Sequence, residues 1–500
     1  MCLGAGPRGR TRHGAAPLRL LIAAACVAAV SCGGPVHHVK SPPVNTLTER
    51  HCIVDGENAR CGRLVVPENR LTGKGRTISV RFVVIPATGA HPAPDPVVYF
   101  AGGPGGSTVA EITSELPDLM SLNVSRDLVF IEQRGTGQSS PLSCPAFPGL
   151  AAGPARLRAA VRSCLHRLHG DLRFYTTAMY ADDVNQLLGD LHYAKVNLMG
   201  ISYGTAVEQV FLLRHPGRVR TITMQSGSPL DVHVIERAAG NSQLALDYVF
   251  ARCEQDPACH RAFPHLAADW ARLWASVGRS PWVLPAAQSP THTTQRITQD
   301  ALADAVYEAM FGFDEYLLPV DIHTLATAKN RTAAMIAVIG VGQAAGNPGV
   351  ASSNLMMPDV ITCDEPWAGN RPAAFADQRD SFAYHIDVTD ARWWQVVCPL
   401  IPKSAAAVGD LRLRVSRVPI LAFNGAGDPI EQPRNWDGAR KYYPNSRDIV
   451  LPGQGHDVNS GSWQACAGLI DQRFIRTASL ANLNTSCLST IAPPFLLTLR

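Results

Sequence analysis

Lys195-Val196-Asn197-Leu198-Met199-Gly200-Ile201-Ser202-Tyr203-Gly204-Thr205-Ala206-Val207-Glu208-Gln209-Val210-Phe211-Leu212-Leu213 is the stretch whose reading decides the fold. Its first five residues lean towards a β-strand. Its last nine have helical periodicity that stops near His215-Pro216-Gly217. Between them Gly200-x-Ser202-x-Gly204 predicts a sharp turn that lifts a serine to its apex. Glycine is needed on both sides because so strained a turn brings neighbouring backbone segments close. A serine in that position is presented as a nucleophile, and the rest of the chain has to supply what a nucleophile needs.

On the N-terminal side the pattern is β-rich: Arg63–Pro67, Thr77–Ile85, then Pro96-Val97-Val98-Tyr99-Phe100 running into Ala101-Gly102-Gly103-Pro104-Gly105-Gly106-Ser107. A further apolar strand, Asp127–Ile131, ends in Glu132-Gln133-Arg134-Gly135-Thr136-Gly137. Tyr180–Leu191 reads as a helix and Val219–Met224 as a strand. Strands alternating with helices predict an α/β fold with a mostly parallel, doubly wound sheet and functional loops at the strand C-termini. The rhythm breaks from Pro229 to Val415, where helical stretches such as Ile235–Glu254 and Asp300–Met310 dominate, and resumes at Val418–Phe423 and Arg447–Leu451. The expected organisation is a core in two parts, 51–228 and 416–500, with a large helical lid, 229–415, inserted between them.

A serine nucleophile requires a base within hydrogen-bond reach and a carboxylate to hold that base in the right tautomer. The resumed sheet offers both, each on a loop after a strand. Asn424-Gly425-Ala426-Gly427-Asp428-Pro429 supplies Asp428, and Gly453-Gln454-Gly455-His456-Asp457 supplies His456. Glu431 and Asp457 are the local rivals to Asp428. The order serine, acid, histidine is the one this architecture uses. The oxyanion of a tetrahedral intermediate needs fixed N–H donors, expected from the Tyr203 amide and from Gly103 in the 102–106 turn. A phosphate cradle is excluded there because G-x-x-x-x-G-K-[ST] is absent. Arg134 is expected to be structural, serving backbone carbonyls near the turn.

Hydrophobic residues make up 46% of the 500-residue chain, enough for a large core, while charged residues are only 17%. Residues 1–32 hold Arg8, Arg10, Arg12 and Arg19 and no acid, so without them 41 basic residues face 41 acidic ones. That balance leaves no basic stripe for nucleic acid. The same residues read as an export signal, with an apolar stretch, Leu20–Val30, too short to span a bilayer. It ends in Ala29-Val30-Ser31-Cys32-Gly33-Gly34, similar to a bacterial lipoprotein processing site, which makes Cys32 the expected lipidation site. Residues 33–50 read as a polar tether. The expected location is the cell envelope outside the cytoplasmic membrane, anchored through Cys32; the alternative is a soluble secreted protein.

Export makes the remaining ten cysteines a disulfide set. They fall in sequential couples, Cys52/Cys61, Cys144/Cys164, Cys253/Cys259, Cys363/Cys398 and Cys466/Cys487, and neighbour pairing closes the shortest loops at least entropic cost. No C-x-x-C pair or H-x-x-x-H cluster argues for a metal, and no cofactor is expected.

Gly102-Gly103-Pro104-Gly105-Gly106-Ser107, Gln133-Arg134-Gly135-Thr136-Gly137, Gly200–Gly204, Cys253-Glu254-Gln255-Asp256-Pro257-Ala258-Cys259 and Ile361-Thr362-Cys363-Asp364 together carry a family resemblance. Over roughly residues 50–490 the chain resembles the tripeptidyl aminopeptidase branch of the prolyl-aminopeptidase-like serine peptidases. With its leader it is similar to the envelope-anchored actinobacterial members, some described as carboxylesterases. Two residues depart from the pattern: Ala101 where prolyl relatives carry His, and Glu132 where Asp is usual. The resemblance implies an α/β-hydrolase fold and acyl transfer to water through Ser202, on a peptide or ester substrate. An aminopeptidase must also hold a free ammonium group, for which Asp364 and Glu365 beside Cys363 are the candidates. Two other readings stay open: a carboxylesterase with the same triad, and a non-catalytic binding protein on this scaffold.

Overall fold

The computed structural model describes residues 46–289, 292–312, 314–344, 356–365, 378–404, 411–458 and 466–499. The expected export signal, Cys32 and the tether as far as residue 45 lie outside them. The expected tether ends early. β1 (Leu47–Val54) already pairs antiparallel with β2 (Glu57–Pro67) as the edge of the sheet. Its residues Thr48-Glu49-Arg50-His51 are exposed. An edge strand with one side in solvent can be that polar, which is why it reads like a linker.

β3 (Thr77–Ile85), β4 (Val97–Phe100), α1 (Ile112–Asn123), β5 (Leu128–Ile131), α2 (Pro154–Leu165), α3 (Thr177–Asp190), β6 (Val196–Ile201), α4 (Tyr203–Arg214) and β7 (Val219–Gln225) follow. After the insertion come β10 (Ile420–Gly425), β11 (Ser446–Leu451) and α13 (Ala467–Thr477). They build a nine-stranded sheet in the order β1-β2-β3-β5-β4-β6-β7-β10-β11. From β5 to β11 every neighbouring pair is parallel, whereas β1, β2 and β3 form an antiparallel flank against β5. β4, β5 and β6 are buried along nearly their whole length, as strands covered on both faces must be.

Alternation along the strands feeds two cores. Val98, Phe100, Val129 and Ile131 point into one, where α2, α3 and α4 contribute Leu157, Val161, Val184, Leu187, Val207 and Val210. Val97, Tyr99, Leu128 and Phe130 point into the other, closed by Ile112, Leu116 and Leu119 of α1 and Ile470 and Phe474 of α13. Helices therefore cover both faces, and all loops after β4, β6, β7, β10 and β11 open at one edge of the sheet.

Between β7 and β10 the chain builds α5 (Val234–Gln255), α6 (Pro257–Ala262), α7 (Leu266–Arg279), the hairpin β8 (Trp282–Leu284) and β9 (Gln295–Ile297), then α8 (Gln299–Phe311). α9 (Leu318–Thr327), α10 (Arg331–Ala344), α11 (Met357–Asp364) and α12 (Tyr384–Val397) complete it. Much of this insertion packs around a third core, with Leu246, Val249, Leu273, Val306, Met310 and Phe382 at its centre. α11 instead gives Met357, Val360 and Ile361 to the first core, so it closes down on the sheet. Residues Pro42–Arg500 form one compact unit. All five expected cysteine couples are bonded: Cys52–Cys61, Cys144–Cys164, Cys253–Cys259, Cys363–Cys398 and Cys466–Cys487. Among the described residues no helix is long and apolar enough to cross a membrane.

Candidate active site

Ser202 stands between β6 and α4 with φ 53° and ψ −121°, a conformation that non-glycine residues avoid. Packing enforces it. A Cβ on Gly204 would lie 2.3 Å from the Phe100 carbonyl oxygen, and one on Gly200 would lie 2.7 Å from the Gly204 carbonyl carbon. The Ser202 amide is pinned to Gln225 O at the end of β7, at 2.9 Å. With Tyr203 as the first residue of α4, the positive end of the helix dipole faces the turn.

The 102–106 turn lies against the elbow: a Cβ on Gly102 would be 3.4 Å from Ser202 Cβ. Gly103, with φ 120°, shares a cavity of about 120 Å³ with Ser202 and Tyr203. Both expected oxyanion donors are thus at the same cavity as the serine. Glu132 fixes the turn from behind, accepting hydrogen bonds from Ser107 Oγ at 2.9 Å, Gln138 N at 2.8 Å and Ser139 Oγ at 2.8 Å. Arg134 is fully buried and structural. It donates to both Asp183 oxygens, at 2.7 and 2.6 Å, and to the carbonyls of Glu68 and Phe174.

Asp428 and His456 meet at the ends of β10 and β11. His456 Nδ1 lies 2.9 Å from Asp428 Oδ2 and 3.1 Å from Oδ1. Both side chains are buried, and Asp428 Oδ1 also accepts the amides of Ile430 and Glu431 at 2.8 Å each. These N–H groups fix the orientation of the carboxyl group towards the ring. Burial, the largest single influence, pushes the His456 pKa down, but the charge and hydrogen bond of Asp428 together with the charges of Glu431 and Asp457 outweigh it, and the net shift is above the ordinary 6.5. Ser226, one residue beyond the Gln225 that anchors Ser202, donates to His456 O and keeps the two loops together. His456 Nε2 is buried and makes no hydrogen bond to a described residue. The Ser202–His456 bond is therefore not formed here; such bonds commonly tighten only around a substrate.

The ammonium candidates are elsewhere. Glu365 gives one oxygen to Thr177 N at 2.7 Å and the other to Thr177 Oγ1 at 2.8 Å. Through the Thr177 hydroxyl, 2.7 Å from Tyr203 Oη, it braces the elbow helix. Asp364 accepts Ser404 N at 2.9 Å. Neither lines the cavity at Ser202. The two carboxyls meet α3 and the chain near Ser404, whereas Thr362 of the same segment does line the cavity. The carboxyl that does line the cavity is Glu431, which shares it with an apolar stretch of Pro229, Leu230, Val232, Val234 and Ile235. Glu431 accepts from Ser228 Oγ, and burial in this apolar setting pushes its pKa up to about 7. In the sequence it stood only as a rival to Asp428; its position three residues along the same loop was the available signal. Among the described residues no group of His, Cys, Asp and Glu could hold a metal ion.

A family model described as alpha/beta hydrolase fold matches residues 95–460, from the start of β4 to just past His456, and the chain belongs to that family. More particular likenesses are partial. A 187-residue stretch is 28% identical to the tripeptidyl aminopeptidases of Streptomyces coelicolor and Streptomyces lividans, covering 33% of this chain. The chain spans only 35% of the length of those curated relatives. Among solved structures it is similar to a serine hydrolase from Cycloclasticus zankles, at 13% identity and TM-score 0.38, over 84% of this chain and 99% of that one. Proline iminopeptidase from Mycobacterium smegmatis is similar at 16% identity and TM-score 0.37, with the same coverages.

Proposed function

We propose that this protein is an exported serine hydrolase, a peptidase that releases short N-terminal peptides through an acyl-enzyme on Ser202. The observation that carries the reading is the buried Asp428–His456 pair on adjacent strand ends, tied through Ser226 to the segment that anchors the Ser202 elbow. In this reading Ser202 Oγ attacks the scissile carbonyl carbon while His456 Nε2 takes its proton. The amides of Gly103 and Tyr203 receive the oxyanion. The tetrahedral intermediate collapses, the C–N bond breaks, and His456 returns the proton to the departing amine. Water then repeats the sequence and frees the acyl part, restoring the Ser202 hydroxyl.

In this reading the ammonium group of the substrate is held by Glu431, which lines the cavity, and not by Asp364 or Glu365. A substrate ammonium group reaching it replaces lost water contacts with an ion pair and favours the carboxylate form. Glu431→Gln is expected to raise KM for free-amine peptides roughly tenfold, with blocked esters almost unaffected. Equal effects on both substrates would remove Glu431 from amine recognition.

A carboxylesterase is the second reading, favoured by the apolar wall of Pro229, Leu230, Val232, Val234 and Ile235, which suits an acyl chain. Incubating the protein with a mixed peptide library and with acyl esters separates the two. N-terminal di- or tripeptides as products support the peptidase; turnover of esters alone supports the esterase. Absence of Ser202-dependent labelling by a fluorophosphonate leaves a binding protein. The proposal places the protein in the cell envelope, anchored through Cys32. Cys32→Ala should then release it into the medium, and unchanged membrane fractionation would defeat the anchor.

A further inference from the structure

The chemistry above assigns no task to the helical insertion except shaping the cavity, yet the insertion is in direct contact with the base. The last carbonyls of a helix have no partner within it. At the end of α8 those carbonyls are used by the histidine loop: Met310 O accepts the His456 amide at 3.2 Å, and Phe311 O accepts the Asp457 amide at 3.0 Å. The Phe311 ring lies over the imidazole, with centroids 4.4 Å apart and planes at 30°. Tyr307, one turn earlier, stacks behind Phe311 at 6.0 Å and 29°.

Such closeness needs a loop without side chains. A Cβ on Gly455 would stand 1.9 Å from Met310 O. The acid loop meets the insertion in the same way: a Cβ on Gly427 would lie 2.2 Å from Glu315 Oε2, on a carboxylate that Arg252 of α5 holds at 3.1 Å. Tyr248, also on α5, accepts the Gly453 amide at 2.8 Å. Both glycine-bearing loops are therefore moulded onto insertion helices rather than standing free above the sheet.

Asp428 holds the imidazole through Nδ1 alone, which fixes one edge but lets the ring rock about that bond. A flat ring against its face removes this motion, and the negative end of a helix beside it favours the imidazolium that forms when Ser202 is deprotonated.

We propose that α8 positions the catalytic base: the Phe311 ring holds the face of His456, and the Met310 and Phe311 carbonyls hold the amides of His456 and Asp457. Base alignment thereby depends on the insertion being seated. Phe311 is a positioning residue, since it acts through His456. The proposal rests on the reading of Ser202 and His456 as nucleophile and base.

The test is turnover of a small acetate ester, too short to need the substrate cavity, by the full mature chain carrying Phe311→Ala, Phe311→Leu or Phe311→Tyr. Phe311→Ala should lower kcat by roughly ten- to a hundredfold, the cost of a slightly misplaced catalytic group, and leave KM within about twofold. Phe311→Tyr should restore most of the rate, and Phe311→Leu should not, although it refills much of the volume. Rescue by Leu equal to rescue by Tyr, or a loss confined to KM, would overturn the proposal. Gly455→Ala, which drives the loop off Met310, should lower kcat further; if it does not fold, the Phe311 series still decides. Fluorophosphonate labelling separates the two levels. A wild type not labelled at Ser202 refutes the hydrolase reading and the proposal with it. A labelled wild type with equally fast labelling of Phe311→Ala refutes the positioning role alone.

Discussion

The Asp428 carboxylate at the sheet edge and the buried carboxyls of the helical insertion differ in the number of donors that reach them. At the strand ends, backbone amides converge on carboxylates: Asp428 receives two N–H groups and an imidazole. Arg134 is equally saturated by Asp183 and two carbonyls. In the insertion fewer donors reach each buried carboxyl: Asp387 accepts the Ala239 amide and Glu315 pairs with Arg252. Glu315 Oε2 and Asp321 Oδ1 are buried without a hydrogen bond among the described residues. Burial pushes both residues up to about 7, as it does Asp387. Open strand ends point spare donors at an anion, while helices spend most of theirs internally. Carboxyls pushed up towards neutrality stand in both regions, Glu315, Asp321 and Asp387 in the insertion and Glu431, Asp448 and Asp471 in the core; Asp428 is set apart by the donors that converge on it.

The sharpest way to break this comparison is Asp428→Asn. If the sheet edge sets the chemistry, the variant should lose about four orders of magnitude in kcat, on esters and peptides alike, because the amide favours the wrong imidazole tautomer. A loss restricted to peptides would move Asp428 into substrate binding. Arg134→Ala tests saturation itself. It strands Asp183 with only Arg70 and leaves the carbonyls of Glu68 and Phe174 without their donor. Breaking such a buried pair should cost about 3–5 kcal/mol in denaturant unfolding. A change under about 1 kcal/mol would mean that water replaces the guanidinium freely.

The same contrast explains what could be read from the sequence. Each chemical element at the sheet edge sits where a strand stops and glycine begins, so Ser202, Asp428, His456 and Gly103 were each marked by local pattern. The insertion has no such punctuation. Asp364 and Glu365 suggest themselves because a cysteine adjoins them, but a disulfide fixes a segment without telling which way each side chain faces. Glu365 spends both oxygens on Thr177, a residue far away in sequence. Phe311 closes an ordinary helical pattern, and nothing in its neighbours announces an imidazole against its ring. The strand at Leu47–Val54 is hidden in the sequence by its polar composition, since only its pairing with β2 makes it β.

Stability against pH sharpens the comparison further. Glu315, Asp321 and Asp387 in the insertion, with Glu431 and Asp471 at the sheet, all have folded pKa values of about 7 against ordinary carboxylate values. A group raised on folding binds its proton more tightly in the native state. Its stabilising contribution is complete below the unfolded pKa and is lost as pH rises through the folded one. The melting temperature should therefore fall between about pH 5 and pH 8, by calorimetry in buffers of matched ionic strength. A rising melting temperature over that interval would show that these carboxyls find partners in solution.

The smallest expected effect concerns one boundary group. Glu431 lies on the sheet-edge loop but faces the cavity shaped by the insertion, and its charge adds to that of Asp428 in raising the His456 pKa. The base works only when neutral, so the acid limb of kcat/KM for a blocked ester should lie above the ordinary histidine value of 6.5. Glu431→Gln removes one charge that favours the imidazolium. The His456 pKa then falls, and the acid limb moves to lower pH. At mildly acidic pH the variant should retain more of its own plateau rate than the wild type does, by less than about tenfold, since Asp428 remains. An acid limb that stays fixed would mean that Glu431, pushed up to about 7, is already protonated where His456 titrates, and its role would shrink to the substrate side of the cavity.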